Sequence, residues 1–398
     1  MNNTSNSKLL VVLATAFLLL ACTEKGVLTA QNGTTGTTGT TGTLTTDFSN
    51  IVLKSHIPKE ISDGAGGVLT TGYQGFTMGN SDASIVYDLA ASDTTSHLFK
   101  IDASNPVELA TTADPAGYSF MISGDGTKIL SYNGVRDIID YTSGTLQAIG
   151  AAAGAFLPYT ITDAGDLVAF WSRKDLAGGN AGLFNQLFTL TTDGSEVYNQ
   201  ITSFGIDYLI EKVTISGDGS KIFFYSTDDV LGDGSNADGS QELFSIDSNG
   251  TNLSQHTTLD SGFISEIRVS TDGGMISTVL SNYNSSTTND LYTINTATDV
   301  LTYITDLSQA SRDYDLSADG NTIAYVYTDS VAGTRVISLV NTDGTLERSV
   351  LVTTTVGGLN SPHINTDGTQ ITFDSGIDFG KGVTIDETVT QIYTLTVI

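Results

Sequence analysis

The chain has few basic residues, a single cysteine and little glutamate, and each shortage argues against a structural feature or a class of partner. Cys22 is the only cysteine among 398 residues, so no disulfide can form within the chain. Sixteen lysines and arginines stand against 44 acidic residues, which leaves a formal net charge of -28 at pH 7. Nucleic acid is therefore not expected as a partner, because phosphate binding needs a basic surface.

Glutamate supplies only 9 of the acidic residues, and aspartate supplies the other 35. Aspartate favours turns, where its carboxylate accepts hydrogen bonds from nearby backbone amides, whereas glutamate is tolerated inside helices. The 42 glycines indicate the same turn-rich character. The composition therefore predicts an all-β chain in which most aspartates have a structural role.

The first 22 residues have the pattern of an export signal. Lys8 precedes a mostly apolar run, residues 9–20, which is too short to span a bilayer. The sequence Leu19-Leu20-Ala21-Cys22 resembles the lipobox of bacterial lipoproteins. The resemblance implies cleavage before Cys22, acylation of Cys22 and attachment to a membrane through the acyl chains. Thr23 favours the outer membrane, with the body periplasmic or surface-facing; an ordinary signal peptide with a chance cysteine is the alternative.

Three regions follow from these patterns. Residues 1–21 are the predicted signal peptide, residues 22–46 the acylated cysteine and a flexible Gly/Thr tether, and residues 47–398 a β-propeller. The tether repeats Gly-Thr-Thr and has no apolar face with which to form a core. The propeller assignment depends on an internal repeat.

An Asp-Gly step recurs after a short alternating strand and before an apolar one. The glycine of this step, or of a degraded copy of it, falls at Gly126, Gly165, Gly219, Gly273, Gly320 and Gly368. A degenerate unit at residues 78–87 makes seven units, each with four short strands. Such a unit of about 50 residues, repeated seven times, predicts a seven-bladed β-propeller; a sandwich of two sheets is the alternative.

The repeat pattern S-x-D-G-x-x-I-x-[FY], followed by [LI]-[FY]-x-[LI], closely resembles the TolB-like propeller repeat over residues 70–398. The resemblance implies a fold that supports diverse functions, such as scaffolding of partner proteins, glycan binding or a domain beside a peptidase. The chain departs from the family at the proline of the Ser-Pro-Asp-Gly turn, where it has Gly124, Gly217, Thr271, Ala318 and Thr366.

The last unit ends after its third strand, which would leave an unpaired edge. The segment of residues 47–53 precedes the first unit and is apolar enough to serve as the missing strand. We therefore expect this segment to close the ring by pairing with the C-terminal blade.

Polar residues of the innermost strands are the first candidates for a site. Counted back from each anchor glycine, positions −4 and −6 are mostly apolar and should pack between blades. Positions −5 and −7 lie on the opposite side of the strand and differ from unit to unit. Their charged members could form a ligand-binding funnel at the axis or, alternatively, ion pairs between blades that offset the cost of burying charge. They are Lys212, Glu266, Arg268, Asp313, Asp315 and His363.

A second candidate site is the long loop between the second and third strands of the fourth unit. Hard cations take several oxygen ligands, so calcium is the cofactor that this loop would suit. The spacing does not match an EF-hand, because Gly234 and Ser245 occupy ligand positions. Hydrogen bonding within the loop, without metal or other cofactor, is the alternative. The candidate ligands are Asp228, Asp229, Asp233, Asn236, Asp238 and Glu242.

Catalytic signatures are scarce. No G-x-S-x-G motif occurs, and acylation would remove Cys22 as a nucleophile. His56, His97, His256 and His363 fall in four different structural settings, which argues against a three-histidine metal site. We expect no enzyme on these grounds.

Two aromatic residues, Tyr159 and Trp171, could stack on a carbohydrate, although core packing is the simpler role for them.

The sequence as a whole predicts a membrane-anchored, exported propeller that acts as a protein-interaction or ligand-binding module, with an envelope protein or a glycan as partner. The alternative is a glycan-active enzyme, a lyase or hydrolase, that uses the axial funnel.

Overall fold

The structure is a computed structural model that describes residues 27–28, 44–45, 50–55, 57, 60–62, 68–81, 83–92, 95–102, 105–112, 119–132, 136–149, 159–283, 289–306, 313–329, 332–354, 358–379 and 390–397. The predicted signal peptide, Cys22, most of the predicted tether and His56 lie outside these residues. Within the described ranges no helix has the length and apolar character needed to cross a membrane.

The described strands form seven antiparallel blades and one separate pair, β1 (Val27–Leu28) with β2 (Leu44–Thr45). Blade 1 contains β4 (Glu60–Ser62), β5 (Val68–Met78), β6 (Ile85–Ala91), β7 (Ser96–Asp102) and β8 (Asn105–Thr112). Blade 2 contains β9 (Ser119–Ile122), β10 (Lys128–Tyr132), β11 (Arg136–Asp140) and β12 (Leu146–Ala148). Blade 3 contains β13 (Tyr159–Ile161), β14 (Leu167–Ser172), β15 (Gln186–Thr191) and β16 (Tyr198–Gln200).

The remaining blades repeat this order, except that the last one takes its outer strand from the N-terminal side of the chain. Blade 4 contains β17 (Glu211–Ile215), β18 (Lys221–Ser226), β19 (Glu242–Asp247) and β20 (Ser254–Gln255). Blade 5 contains β21 (Phe263–Val269), β22 (Met275–Ser281), β23 (Asn289–Asn295) and β24 (Val300–Asp306). Blade 6 contains β25 (Tyr314–Leu316), β26 (Thr322–Asp329), β27 (Thr334–Asn341) and β28 (Arg348–Thr354). Blade 7 contains β29 (Asn360–Ile364), β30 (Gln370–Ser375), β31 (Gln391–Thr396) and β3 (Ile51–Ser55).

The predicted closure of the ring is confirmed. Strand β3 pairs antiparallel with β31, so that Ile51 lies opposite Leu395 and Leu53 opposite Tyr393. The side chain of Ile51 is 1% exposed and belongs to the core shared by blades 6 and 7. The N-terminal strand therefore supplies both the missing hydrogen bonds of the last blade and part of its core.

The Asp-Gly steps form the turns between the first and second strands, as predicted. In blade 2, Asp125 Oδ1 accepts hydrogen bonds from Ser123 Oγ at 2.6 Å and from Thr127 N at 2.9 Å. Gly126 has a φ of +72°, which glycine adopts without steric cost. Partial burial acts to raise the pKa of Asp125, but these hydrogen bonds prevail and lower it. The turn aspartates are therefore structural acceptors.

Packing between blades follows the predicted period of two along the innermost strands. The −4 and −6 residues are mostly buried, as at Val213 and Ile215, whereas Thr214 between them is half-buried and faces the axis. The same alternation holds at Ile267, Tyr314 and Ile364. The apolar residues hold neighbouring blades together, and the residues between them line the centre of the molecule.

Candidate functional site: the axial cavity

The innermost strands of all seven blades enclose a cavity of about 520 Å³ on the propeller axis. Each blade contributes one half-buried residue at the −5 position of its innermost strand. We call these seven residues the axial belt: Thr77, Met121, Thr160, Thr214, Arg268, Asp315 and His363. Blades 1 to 4 therefore present neutral side chains to the cavity, and blades 5 to 7 present charged or titratable ones.

One end of the cavity is bounded by a closed ring of backbone hydrogen bonds that runs through the seven turns, which we call the ring end. The donor is the turn aspartate in blades 2, 4 and 6, and the residue one position earlier in the repeat in blades 1, 3, 5 and 7. The innermost strand of each blade ends at the ring end and begins at the opposite end of the cavity, which we call the loop end. The bonds are Asn80 N to Gly124 O (2.7 Å), Asp125 N to Asp163 O (2.8 Å), Asp163 N to Gly217 O (2.7 Å), Asp218 N to Thr271 O (2.8 Å), Thr271 N to Ala318 O (2.8 Å), Asp319 N to Thr366 O (3.1 Å) and Thr366 N to Asn80 O (3.1 Å).

A side-chain contact adds to the ring. Asp163 Oδ2 accepts a hydrogen bond from Thr271 Oγ1 at 2.6 Å, which joins blade 3 to blade 5 across blade 4. The Asp163 carboxylate lies against Gly124 and Gly217, where a Cβ atom would overlap its oxygens. The two glycines therefore make room for the carboxylate, and the ring end is narrowed by it.

The charged residues predicted at the axis form a chain of alternating sign across blades 4, 5 and 6. Lys212 Nζ lies 3.2 Å from Glu266 Oε2, Arg268 Nη1 lies 3.3 Å from the same oxygen, and Arg268 Nε lies 3.7 Å from Asp315 Oδ1. Burial alone would raise the pKa of Glu266, but the two cations lower it. The predicted ion pairs between blades are thus present, and Arg268 still lines the cavity with a 40% exposed side chain.

The remaining predicted residues lie on blades 6 and 7. His363 Nδ1 is 3.5 Å from Asp315 Oδ2, and its ring meets Phe76 of blade 1 edge-on at 4.9 Å between centroids. Asp313 Oδ2 is 3.7 Å from Arg335 Nη2, a cation that the sequence analysis did not include. The structure therefore brings all six predicted residues to the inner strands, with Lys212 and Glu266 towards the loop end.

Sequence reasoning missed a buried carboxyl group beside this cluster. Asp374 on β30 is 3% exposed and accepts hydrogen bonds from Tyr73 Oη at 2.9 Å and from Asn360 Nδ2 at 2.8 Å. Burial raises the pKa of Asp374 in spite of these two bonds. No motif marks Asp374, because its partners come from blade 1 and from another strand of blade 7.

Irregular backbone is concentrated on the innermost strands. The pairing of the strand that lines the cavity with the next strand of its blade shifts register in blade 1, between β5 and β6, and in blades 4, 5 and 7. Lys212 and Ser361 adopt φ values of +43° and +46° at two of these bulges, a conformation that L-residues rarely adopt. Bulges and strained residues are frequent beside functional sites, where they re-aim side chains.

The candidate ligands of the predicted calcium loop make hydrogen bonds with backbone groups of the loop and of neighbouring segments. Within the part of the chain that the structure describes, no three His, Cys, Asp or Glu side chains are placed to hold a metal ion. Calcium binding by this loop stays a prediction. The bonds run from Leu209 N to Asp228, Gly234 N to Asp229, Ser235 N to Asp233, Ser240 N to Asp238 and Leu259 N to Glu242, while Asn236 Nδ2 donates to Asp228 O and Ser240 O.

One histidine has the partners of a serine-hydrolase triad. His256 Nε2 lies 2.7 Å from Ser245 Oγ, and His256 Nδ1 lies 2.6 Å from Asp299 Oδ1. Ser245 is 3% exposed and His256 is 7% exposed, so no substrate carbonyl can reach the hydroxyl without opening the blade. This arrangement therefore links blades 4 and 5 and does not form a nucleophilic site.

The other predicted side chains have ordinary environments. His97 lies in blade 1, 2.7 Å from Glu108 Oε1, and His363 is the one described histidine that lines the axial cavity. Trp171 packs against the core of blades 3 and 4. Tyr159 begins β13, and its side chain lies outside the described part of the structure.

Comparison with known proteins shows which solved structures have a similar fold. No family model matches the chain, and no curated protein sequence matches it. An oligogalacturonate lyase from Vibrio parahaemolyticus aligns with a TM-score of 0.57 and 11% identity, over 85% of this chain and 96% of the lyase. A prolyl endopeptidase aligns with a TM-score of 0.51 and 10% identity, over 82% of this chain and 50% of that chain. TolB from Acinetobacter baumannii aligns with a TM-score of 0.44 and 16% identity, over 70% of this chain and 62% of TolB.

These structures correct one prediction. The expectation that the chain is not an enzyme is wrong as an inference from its propeller sequence, because the lyase and the endopeptidase are enzymes that align with most of this chain. Missing motifs are a weak argument, since a propeller can assemble a site from residues far apart in sequence. At these identities the similarity to the solved structures shows the fold alone. The fold is a seven-bladed β-propeller, as the TolB-like repeat predicts. The function has to be inferred from the axial residues.

Proposed function

We propose that this chain is an exported propeller that binds a ligand or a partner segment in its axial cavity. The observation that carries the proposal is the axial belt. Neighbouring positions of the innermost strands are repetitively apolar, yet the belt has Thr, Met, Thr, Thr, Arg, Asp and His around one 520 Å³ cavity. A repeat protein whose axis served only packing would need no such differences between its blades.

Two further observations support a binding role. The chain of charges Lys212–Glu266–Arg268 leaves Arg268 partly exposed to the cavity, so that its guanidinium can contact a bound molecule. Lys212 and Ser361 are also held in strained conformations at bulges of the same strands, where strain persists only if its surroundings impose it.

A photocrosslinking residue in place of Met121 tests the proposal in cells. Met121 lines the cavity, and its side chain is neutral, so the substitution leaves the ion pairs intact. Val300 on the outer strand of blade 5 is 55% exposed and serves as the matched control. We expect a defined adduct from the Met121 position and none from the Val300 position; equal adducts from both positions would contradict a site at the axis.

The sequence supports an envelope location for this module. The lipobox-like end of the apolar N-terminal run places acylation at Cys22, and acyl chains hold a protein at a bilayer surface. Cys22→Ser should move the protein from the membrane fraction to the soluble fraction. Retention in the membrane fraction would remove acylation as the anchor.

A glycan-active enzyme is the second candidate. The position of Asp315 and His363 in the cavity favours it, because a carboxylate and an imidazole 3.5 Å apart are the side-chain types that general acid–base catalysis uses. Turnover of an envelope glycan by the purified protein, abolished in Asp315→Asn, would establish it. Binding without turnover would leave the first proposal in place.

A further inference from the structure

We infer that the axial cavity binds a positively charged group, an ammonium or a guanidinium carried on a flexible neutral stem, and that Asp313 and Asp315 of blade 6 receive it. The inference rests on the proposed function, since it names the chemistry of a ligand for the same cavity. The first step is the charge of the lining residues. Three carboxylates, those of Asp163, Asp313 and Asp315, line the cavity together with one guanidinium, that of Arg268.

The residues behind the lining do not reverse this sign. Lys212 and Glu266 are paired with each other and cancel. Arg335 offsets one carboxylate, Asp313, at 3.7 Å. The whole chain carries a formal charge of -28, so its long-range field also attracts cations towards the propeller.

Asp315 has the capacity to bind another donor. Its Oδ2 atom accepts a hydrogen bond from Ile364 N at 3.0 Å. Its Oδ1 atom is 3.7 Å from Arg268 Nε, which is too long for a hydrogen bond. Arg268 instead directs Nη1 towards Glu266 Oε2 and the Ile267 carbonyl, both at 3.3 Å. A ligand cation can therefore approach Oδ1 without displacing an existing hydrogen bond.

Asp313 lies two residues before Asp315 on the same side of the strand, one step nearer the loop end. Its side chain is 27% exposed and that of Asp315 is 17% exposed. A cation between them would be partly withdrawn from water, where Coulomb attraction is stronger than at the surface. The opposite wall, formed by Thr77, Met121 and Thr160, would contact an uncharged stem.

The ring end decides how the ligand enters. Seven backbone hydrogen bonds and the Asp163–Thr271 contact narrow that end, and the inference therefore has the cation enter from the loop end. A lysine or arginine side chain of a partner protein meets this requirement, and so does a free polyamine. Both carry the same chemistry, and the experiment has to separate them.

The experiment measures binding by isothermal titration calorimetry on the full-length acylated protein in detergent. One probe is a capped peptide with a single arginine between glycines and serines, and its control has citrulline, which keeps the shape and removes the charge. Spermidine represents a free amine, and a capped aspartate peptide represents an anion. We expect the arginine peptide or spermidine to bind at least tenfold more tightly than the citrulline or aspartate peptide; whichever of the two binds more tightly identifies the source.

Asp315→Asn and Asp313→Asn should each weaken binding about tenfold, whereas Asp260→Asn should not. Asp260 is exposed and does not line the cavity, so this control removes the same charge outside it. Thermal unfolding of each variant verifies that it is folded. Equal binding of the arginine and citrulline peptides, tighter binding of the aspartate peptide, or no binding of any probe at millimolar concentration would overturn the inference. An axial adduct from the Met121 crosslinker would still support the proposed function in any of these cases.

Discussion

The closure of the ring by β3 makes Ile51 the most informative position for a stability test. Ile51 is 1% exposed and packs in a core with Phe373, Tyr393 and Leu395, which belong to strands of the last blade. Ile51→Ala removes three buried carbon atoms from this contact. Substitutions of this kind destabilise proteins by about 2–5 kcal/mol, the transfer free energy plus the cavity left behind.

The neighbouring residue supplies the control. Val52 lies on the same strand, pairs with Thr394 and is 50% exposed. Val52→Ala keeps every backbone hydrogen bond of β3 and removes side-chain atoms that already contact water. Its effect on the free energy of unfolding should stay within about 0.5 kcal/mol, as for most surface substitutions.

Urea unfolding of the full-length protein, followed by tryptophan fluorescence and by circular dichroism, measures both effects. We expect the midpoint to fall clearly for Ile51→Ala and to stay in place for Val52→Ala. If Ile51→Ala matched Val52→Ala, β3 would not be a packed member of the last blade, and the closure of the ring by the N-terminal strand would be refuted. A low-urea transition confined to one probe would instead show that β3 detaches before the blades unfold.

Three other predictions concern the axis and the loop. Gly217→Ala should destabilise the protein by about 1–3 kcal/mol in urea unfolding, because the new Cβ overlaps the Asp163 carboxylate. Gly232→Ala is the control, since Gly232 has open space around it. Its φ of +69° is unfavourable for alanine, so this variant should lose only the smaller free energy of that backbone strain. Lys212 and Arg268 lower the pKa of Glu266, so the Glu266 carboxylate contributes to folding stability at neutral pH, and this contribution is lost as the pH falls through the folded-state pKa. Glu266→Gln should therefore reduce the free energy of unfolding more at pH 7 than at pH 3. Equal losses at both pH values would contradict the ion pairs. Calcium should raise the melting temperature if the loop of Asp228 and Asp238 binds it, and a calorimetric titration without heat, together with an unchanged melting temperature, would remove calcium as a cofactor.

The fold could be predicted because its signals are local. The turn aspartates, such as Asp125, bond to residues within two positions of themselves, so the repeat pattern is readable along the chain. The alternation around Thr214 is likewise a property of one strand. Even the closure by β3 followed from counting strands, since an incomplete last blade needs a partner for its edge.

The site could be predicted only in part, because its contacts join different blades. The period of two placed Arg268 and Asp315 at the axis, but it could not show that Arg268 turns towards Glu266 or that Asp313 meets Arg335 from another strand. Asp374 was missed for the same reason. Which of several nearby carboxylates a cation pairs with depends on side-chain packing across blades, and no spacing along the sequence encodes that.

The TolB-like repeat has a proline in this turn, and the ring of hydrogen bonds explains its absence at most of these positions. Proline has no N–H group, and Thr271 and Thr366 use theirs to reach the next blade. Gly124 and Gly217 do not donate to the ring, but any Cβ there would overlap Asp163. Ala318 is the one of the five positions where neither restriction applies, because Asp319 donates in its place. Four of the five departures from the repeat pattern are therefore explained. Thr271 and Thr366 need their amides for the ring of hydrogen bonds, and Gly124 and Gly217 leave room for the Asp163 carboxylate.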